Sequence, residues 1–113
     1  MSNSYQDVVQ RINAKLADFS KNIPDTMQGF SKMAQATHKE GALSSKQKEL
    51  IATAIAIAAR CEGCLGFHAK ACVKAGVSRE EYEEMIQVAI YMGGGPSLMT
   101  GAEAMIAYEE FAQ

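Results

Sequence analysis

Apolar residues recur along this chain at intervals of three and four, and those intervals predict helices. Val8, Val9, Ile12, Leu16 and Phe19 fall on one face of a first helix that Ser4 is placed to cap. Met27, Phe30 and Ala34 make a stripe on a second, with Pro24 suited to its first turn and Gly41 to its end. Ser44-x-x-Gln47 reads as a capping box for a third. Residues 50–59 that follow are apolar at every position except Thr53, so this helix has no polar face and is expected at the centre of the protein. The chain then reaches the turn Cys61-Glu62-Gly63-Cys64, which starts a fourth helix ended by Gly76. Ser78-x-x-Glu81 is a second capping box, opening a fifth helix on Tyr82, Met85, Ile86 and Ala89. Gly93-Gly94-Gly95-Pro96 breaks that helix, and a last one runs from about residue 96 or 97 to residue 111.

No stretch alternates in the manner of a strand, so the fold class is all-α. The chain reads as one domain over residues 1–113, a bundle of five helices, or six if the two halves of the cysteine-bearing segment are counted separately. Composition agrees: 48% of residues are apolar, there are 7 methionines and no tryptophan. Such a mix favours helix over sheet. At 113 residues the core is modest, near the size where association often completes burial.

Charge narrows the function classes. The formal net charge is −2 with no basic cluster, which argues against nucleic acid and anionic membrane as partners. The longest apolar run is about half a membrane span. The first fifteen residues carry Asp7 and Arg11 and lack the apolar stretch of a secretory signal. The expectation is a cytoplasmic protein, where a Cys-x-x-Cys is more often redox-active or metal-binding than a structural staple.

The chemistry therefore centres on the 3 cysteines and 2 histidines. His68 follows Cys64 by four residues, a spacing that puts both on one helix face about 6 Å apart along the axis. An imidazole there favours the Cys64 thiolate. The positive end of a helix starting at the cysteine pair favours Cys61 instead. On residues alone both assignments stay open. A zinc site built from Cys61, Cys64, His68 and Cys72 conflicts with geometry, since Cys64 and Cys72 lie about 12 Å apart along one helix and zinc–sulfur bonds are about 2.3 Å. A c-type haem needs histidine directly after Cys64, where Leu65 stands. No metal and no cofactor are expected. Cys72 and the methionines read as core filling, and His38 as a surface residue with no partner and no role. Periodicity gives Glu49 nothing beyond an ordinary place in a helix's first turn.

Glu49 gains meaning from a resemblance. Glu49, eleven residues, then Cys61-x-x-Cys64-x-x-x-His68 on an Ala/Ile-rich helix, followed by Met92-Gly-Gly-Gly-Pro96, resembles the carboxymuconolactone decarboxylase superfamily in its alkylhydroperoxidase AhpD-like branch. The likeness covers roughly residues 40–110. It implies an all-helical fold assembled as a homo-oligomer, a hexamer in preference to a trimer. It implies Cys64 as the attacking thiol, Cys61 as its disulfide partner, and a proton relay of His68 and Glu49. The sequence departs from the pattern between the cysteines, where better-studied members have a histidine and Gly63 stands here. Glu49 also lies about 18 Å up its helix from Cys61, so the relay requires two helices to cross suitably.

The function implied is a thiol-dependent peroxidase of peroxiredoxin type, or a disulfide oxidoreductase, acting on a hydroperoxide or disulfide. An external dithiol, lipoyl- or thioredoxin-like, would restore the pair. One alternative is an acid/base lactone decarboxylase that uses His68 and Glu49 and neither sulfur. Another is a non-enzymatic helical assembly switched by the disulfide.

Overall fold

In a computed structural model describing residues 4–113, the chain forms six helices and, among the described residues, no strand: α1 (Tyr5–Asn22), α2 (Pro24–His38), α3 (Ser45–Ala59), α4 (Glu62–Lys74), α5 (Arg79–Gly93) and α6 (Gly95–Phe111). Local sequence sets most of their ends. Ser4 Oγ accepts the Asp7 amide, and Ser44 with Gln47 and Ser78 with Glu81 form both expected capping boxes. Ala75 caps α4, and Gly76 follows at φ 82°, where a side chain would be strained.

The glycine run does less than expected. Helix α5 continues through Gly93 and α6 begins at Gly95, leaving Gly94 alone between them at φ 71°. One residue in the left-handed half of the map turns the chain, and Pro96 fits the first turn of α6 because an N–H there would have no helical carbonyl to donate to.

Helix α4 lies at the centre, packed against α1, α3 and α6. Ile57, Leu65, Ala69, Cys72 and Tyr82 are fully or almost fully enclosed. The Tyr82 and Tyr108 hydroxyls donate to the carbonyls of Ala104 and Val77, so each ring is buried with its polar end satisfied. Tyr5 donates to Glu103 at 2.5 Å and ties α1 to α6.

The expectation that α3 is enclosed on all sides is corrected. Thr53, Ala56 and Ile57 face the core, but Ile51 and Ile55 are 48% and 63% exposed. Ile55 borders a cleft between α3 and α5 with Val88 and Met92, and Ile51 and Ile55 both border another with Thr37 and Leu43. Helix α2 buries none of its residues. No helix among the described residues is long and apolar enough to cross a membrane.

Candidate active site

The site is built where α3 ends and α4 begins. Arg60 closes α3 in the left-handed conformation, φ 55° and ψ 46°, with its amide donating back to the last turn. That single residue reverses the chain's course and lets α4 start at once, with Cys61 as its N-cap. Cys61 Sγ accepts the Cys64 amide at 3.2 Å, the place a serine oxygen takes in an ordinary cap. Cys61 and Cys64 are joined as a disulfide with Cα atoms 5.2 Å apart.

His68 stands one turn further along α4. Its Nδ1 donates to Glu49 Oε1 at 2.9 Å. Helices α3 and α4 therefore cross in the way the relay requires. Glu49 is 6% exposed, a carboxylate withdrawn from water that needs partners of opposite polarity. It has two.

The second partner is a residue that sequence reasoning left without one, and that reading of His38 is corrected. His38, the last residue of α2, brings Nε2 to 2.8 Å from Glu49 Oε2, while its Nδ1 lies 2.6 Å from the Ala34 carbonyl. A carbonyl only accepts, so Nδ1 carries a proton. The second contact makes His38 a donor at both nitrogens, an imidazolium facing the carboxylate. The Ala34 hydrogen bond first, and then the Glu49 hydrogen bond, hold the His38 pKa above its ordinary value. A helix C-terminus also favours a cation. The only sequence signal was a histidine in the last turn of a helix.

Cys72 is a free cysteine, outside the Cys61–Cys64 disulfide. It is wholly buried, with Thr53 Oγ1 at 3.3 Å, and that hydroxyl also donates to the Glu49 carbonyl. Burial pushes the Cys72 thiol up to about 11.

Ile12, Leu16, Phe30, Gly63 and Phe67 join Cys61, Cys64 and His68 around a cleft of about 430 Å³. Apart from the sulfurs and the imidazole its walls are apolar. Gly63 lies under α1: a β-carbon there would sit 2.7 Å from Ile12 Cδ1. Where the resemblance anticipates a histidine between the cysteines, Ile12 stands over the space.

A model of the carboxymuconolactone decarboxylase family matches residues 24–107. The chain belongs to the carboxymuconolactone decarboxylase family. A member of that family from Legionella pneumophila, solved in its apo form, is 50% identical to it and superposes with a TM-score of 0.97 over 99% of this chain and 100% of that one. An uncharacterized protein of Cupriavidus necator is 28% identical over 96% of both chains. An uncharacterized protein encoded in the cox locus of Paracoccus denitrificans is 27% identical over 88% of this chain and 90% of its own. The two cysteines, His68 and Glu49 all fall within the residues matched to the carboxymuconolactone decarboxylase family.

Proposed function

We propose that the protein is a thiol-dependent peroxidase of the AhpD-like kind, with Cys64 as attacking thiol and Cys61 as its partner. The observation that supports this reading is the Glu49–His68 hydrogen bond beside a closed Cys61–Cys64 pair, with His68 and both cysteines lining one largely apolar cleft. With Nδ1 committed to Glu49, His68 keeps Nε2 for the cleft. In the reduced protein Nε2 takes the Cys64 proton. The thiolate attacks the terminal oxygen of a hydroperoxide, the O–O bond breaks, and the leaving alkoxide takes the proton from His68 to depart as alcohol. Cys64 is left as sulfenic acid. The Cys61 thiol condenses with it, forming the disulfide and releasing water. A dithiol reductant then passes two electrons to the pair through a mixed disulfide.

The lactone-decarboxylase alternative fits less well. It uses neither sulfur, and both Glu49 oxygens are already engaged by histidines. We further propose a homo-oligomer, with the hexamer favoured by the resemblance. The exposed Ile51, Ile55, Val88 and Met92 support this.

The test is to mix reduced protein with tert-butyl hydroperoxide and follow peroxide and free thiols together. Wild type consumes peroxide and loses two thiols per chain, Cys64→Ser does neither, and His68→Gln is slowed. Persistent peroxide with free thiols in wild type would refute the peroxidase reading. Sedimentation velocity reads the assembly, and a monomer at micromolar concentration would remove the oligomer.

A further inference from the structure

Among the described residues, Glu49 is the one link between α2 and the thiol site that runs through hydrogen bonds at both ends. Its Oε1 faces His68 at 2.9 Å and its Oε2 faces His38 at 2.8 Å, so the two imidazoles grip opposite oxygens of one carboxylate. We propose that His38 is a positioning residue of the site, which fixes the rotation of Glu49 and thereby holds His68 with its proton on Nδ1 and its Nε2 free for Cys64.

The argument begins with what Glu49 lacks. Its side chain is 8% exposed, so water does little to satisfy or orient it. A carboxylate with one partner turns about its last bond, and either oxygen serves that partner equally. Holding both oxygens removes that freedom. Only then does Oε1 become a fixed acceptor for His68, and a fixed acceptor at Nδ1 selects the tautomer.

His38 is itself held. Its Nδ1 donates to Ala34 one turn back, which sets the ring plane and presents Nε2 to α3. The charged groups facing it are Glu49 and Lys48, both from α3, and Glu49 is the closer. The Lys48 ammonium is occupied by the carbonyls of Thr37 and Lys39, which fastens the end of α2 to α3 beside the ring. A plain docking role for His38 would need only some contact between these helices, and Lys48 already makes two. The pairing of His38 with the one carboxylate that also meets His68 is what a positioning role adds.

This inference rests on the thiol-relay reading of Glu49 and His68, and its test avoids peroxide so that the two fail separately. Long-range proton–nitrogen correlation spectra of the reduced full chain report which ring nitrogen of His68 carries the proton, and iodoacetamide reports the reactivity of Cys64. In wild type His68 is the Nδ1–H tautomer. In His38→Leu, which removes the donor and keeps bulk, the Nε2–H form becomes populated and alkylation at neutral pH slows by roughly threefold to tenfold, less than the roughly hundredfold at the low end of what a positioned acid/base partner contributes. In His38→Gln, which still donates to Glu49, the Nδ1–H tautomer is retained, and this variant keeps the test alive if the leucine variant folds poorly. An unchanged tautomer in His38→Leu, or an unchanged alkylation rate, overturns the proposal whatever happens to stability. Altered tautomer with no peroxide turnover in wild type would leave His38 its role and remove only the peroxidase.

Discussion

Glu49 on α3 and His68 on α4 meet at 2.9 Å, Oε1 to Nδ1, although nineteen positions separate them in sequence. The contact sets an almost wholly enclosed carboxylate against a partly exposed imidazole. Glu49→Ala leaves both imidazoles without their acceptor. The expected outcome is a fall of about a hundredfold in the rate of Cys64 alkylation at neutral pH, the low end of what a positioned acid/base partner contributes. Circular dichroism on the same sample separates that loss from unfolding. A wild-type rate in a folded Glu49→Ala protein would contradict the relay.

Stability should carry the mark of His38. Its pKa is raised in the folded chain, by the Ala34 carbonyl and then by Glu49, above an unfolded value of about 6.5. The folded state then binds the proton more tightly, so the contribution is complete below about pH 6.5 and is lost as pH rises through the folded value. Urea midpoints measured from about pH 6 to about pH 9, with the disulfide intact, should fall more steeply for wild type than for His38→Gln. Parallel curves would count against an ionised His38.

Half of this site was legible in sequence and half was not. Cys61, Cys64 and His68 fall within one turn-and-helix segment, and spacing alone places Cys64 and His68 on one face. The capping boxes at Ser44 and Ser78 were equally local. Glu49 was visible only through resemblance, since its meeting with His68 depends on the crossing of α3 and α4. That crossing is made by Arg60 in a left-handed turn, a conformation usually advertised by glycine. His38 was invisible because its partner lies eleven residues on, past a non-helical connection whose path no periodicity describes. The apolar run of α3 misled in the opposite sense. Its composition was right for burial, yet Ile51 and Ile55 lie outside this chain's own core.

Cys72 should behave as hydrocarbon. With its thiol pushed up to about 11 by burial, only about one molecule in ten thousand is thiolate at pH 7, and thiolate is the reactive form. Reduced native protein treated with a thiol reagent near neutral pH should therefore expose two thiols quickly, and the third only on denaturation. Fast reaction of three thiols would show that the core opens.

Gly66, like Gly63, lies where α1 closely approaches α4. A β-carbon there would sit 2.9 Å from Cγ2 of the buried Val9, which must shift, and 3.5 Å from the Tyr5 carbonyl oxygen, an ordinary contact. Overpacking of this kind costs about 1–3 kcal/mol, against about 1 kcal/mol that alanine returns by favouring helix. Gly66→Ala should lower the melting temperature by about 5 °C per net kcal/mol. A rise on calorimetry would mean that α1 shifts at no cost.

The distance along α3 from Glu49 to the turn at Arg60 acts as an angular gauge. Each residue added or removed there swings the carboxylate by about 100° about the helix axis and carries it only about 1.5 Å along. The phase is lost long before the reach is. Insertion within residues 40–43, which precede α3, leaves that phase untouched and alters only the span that His38 must bridge. The eleven residues between Glu49 and Cys61 are thus counted in turns, and any chain that keeps this pairing of carboxylate and imidazole must keep whole turns between them.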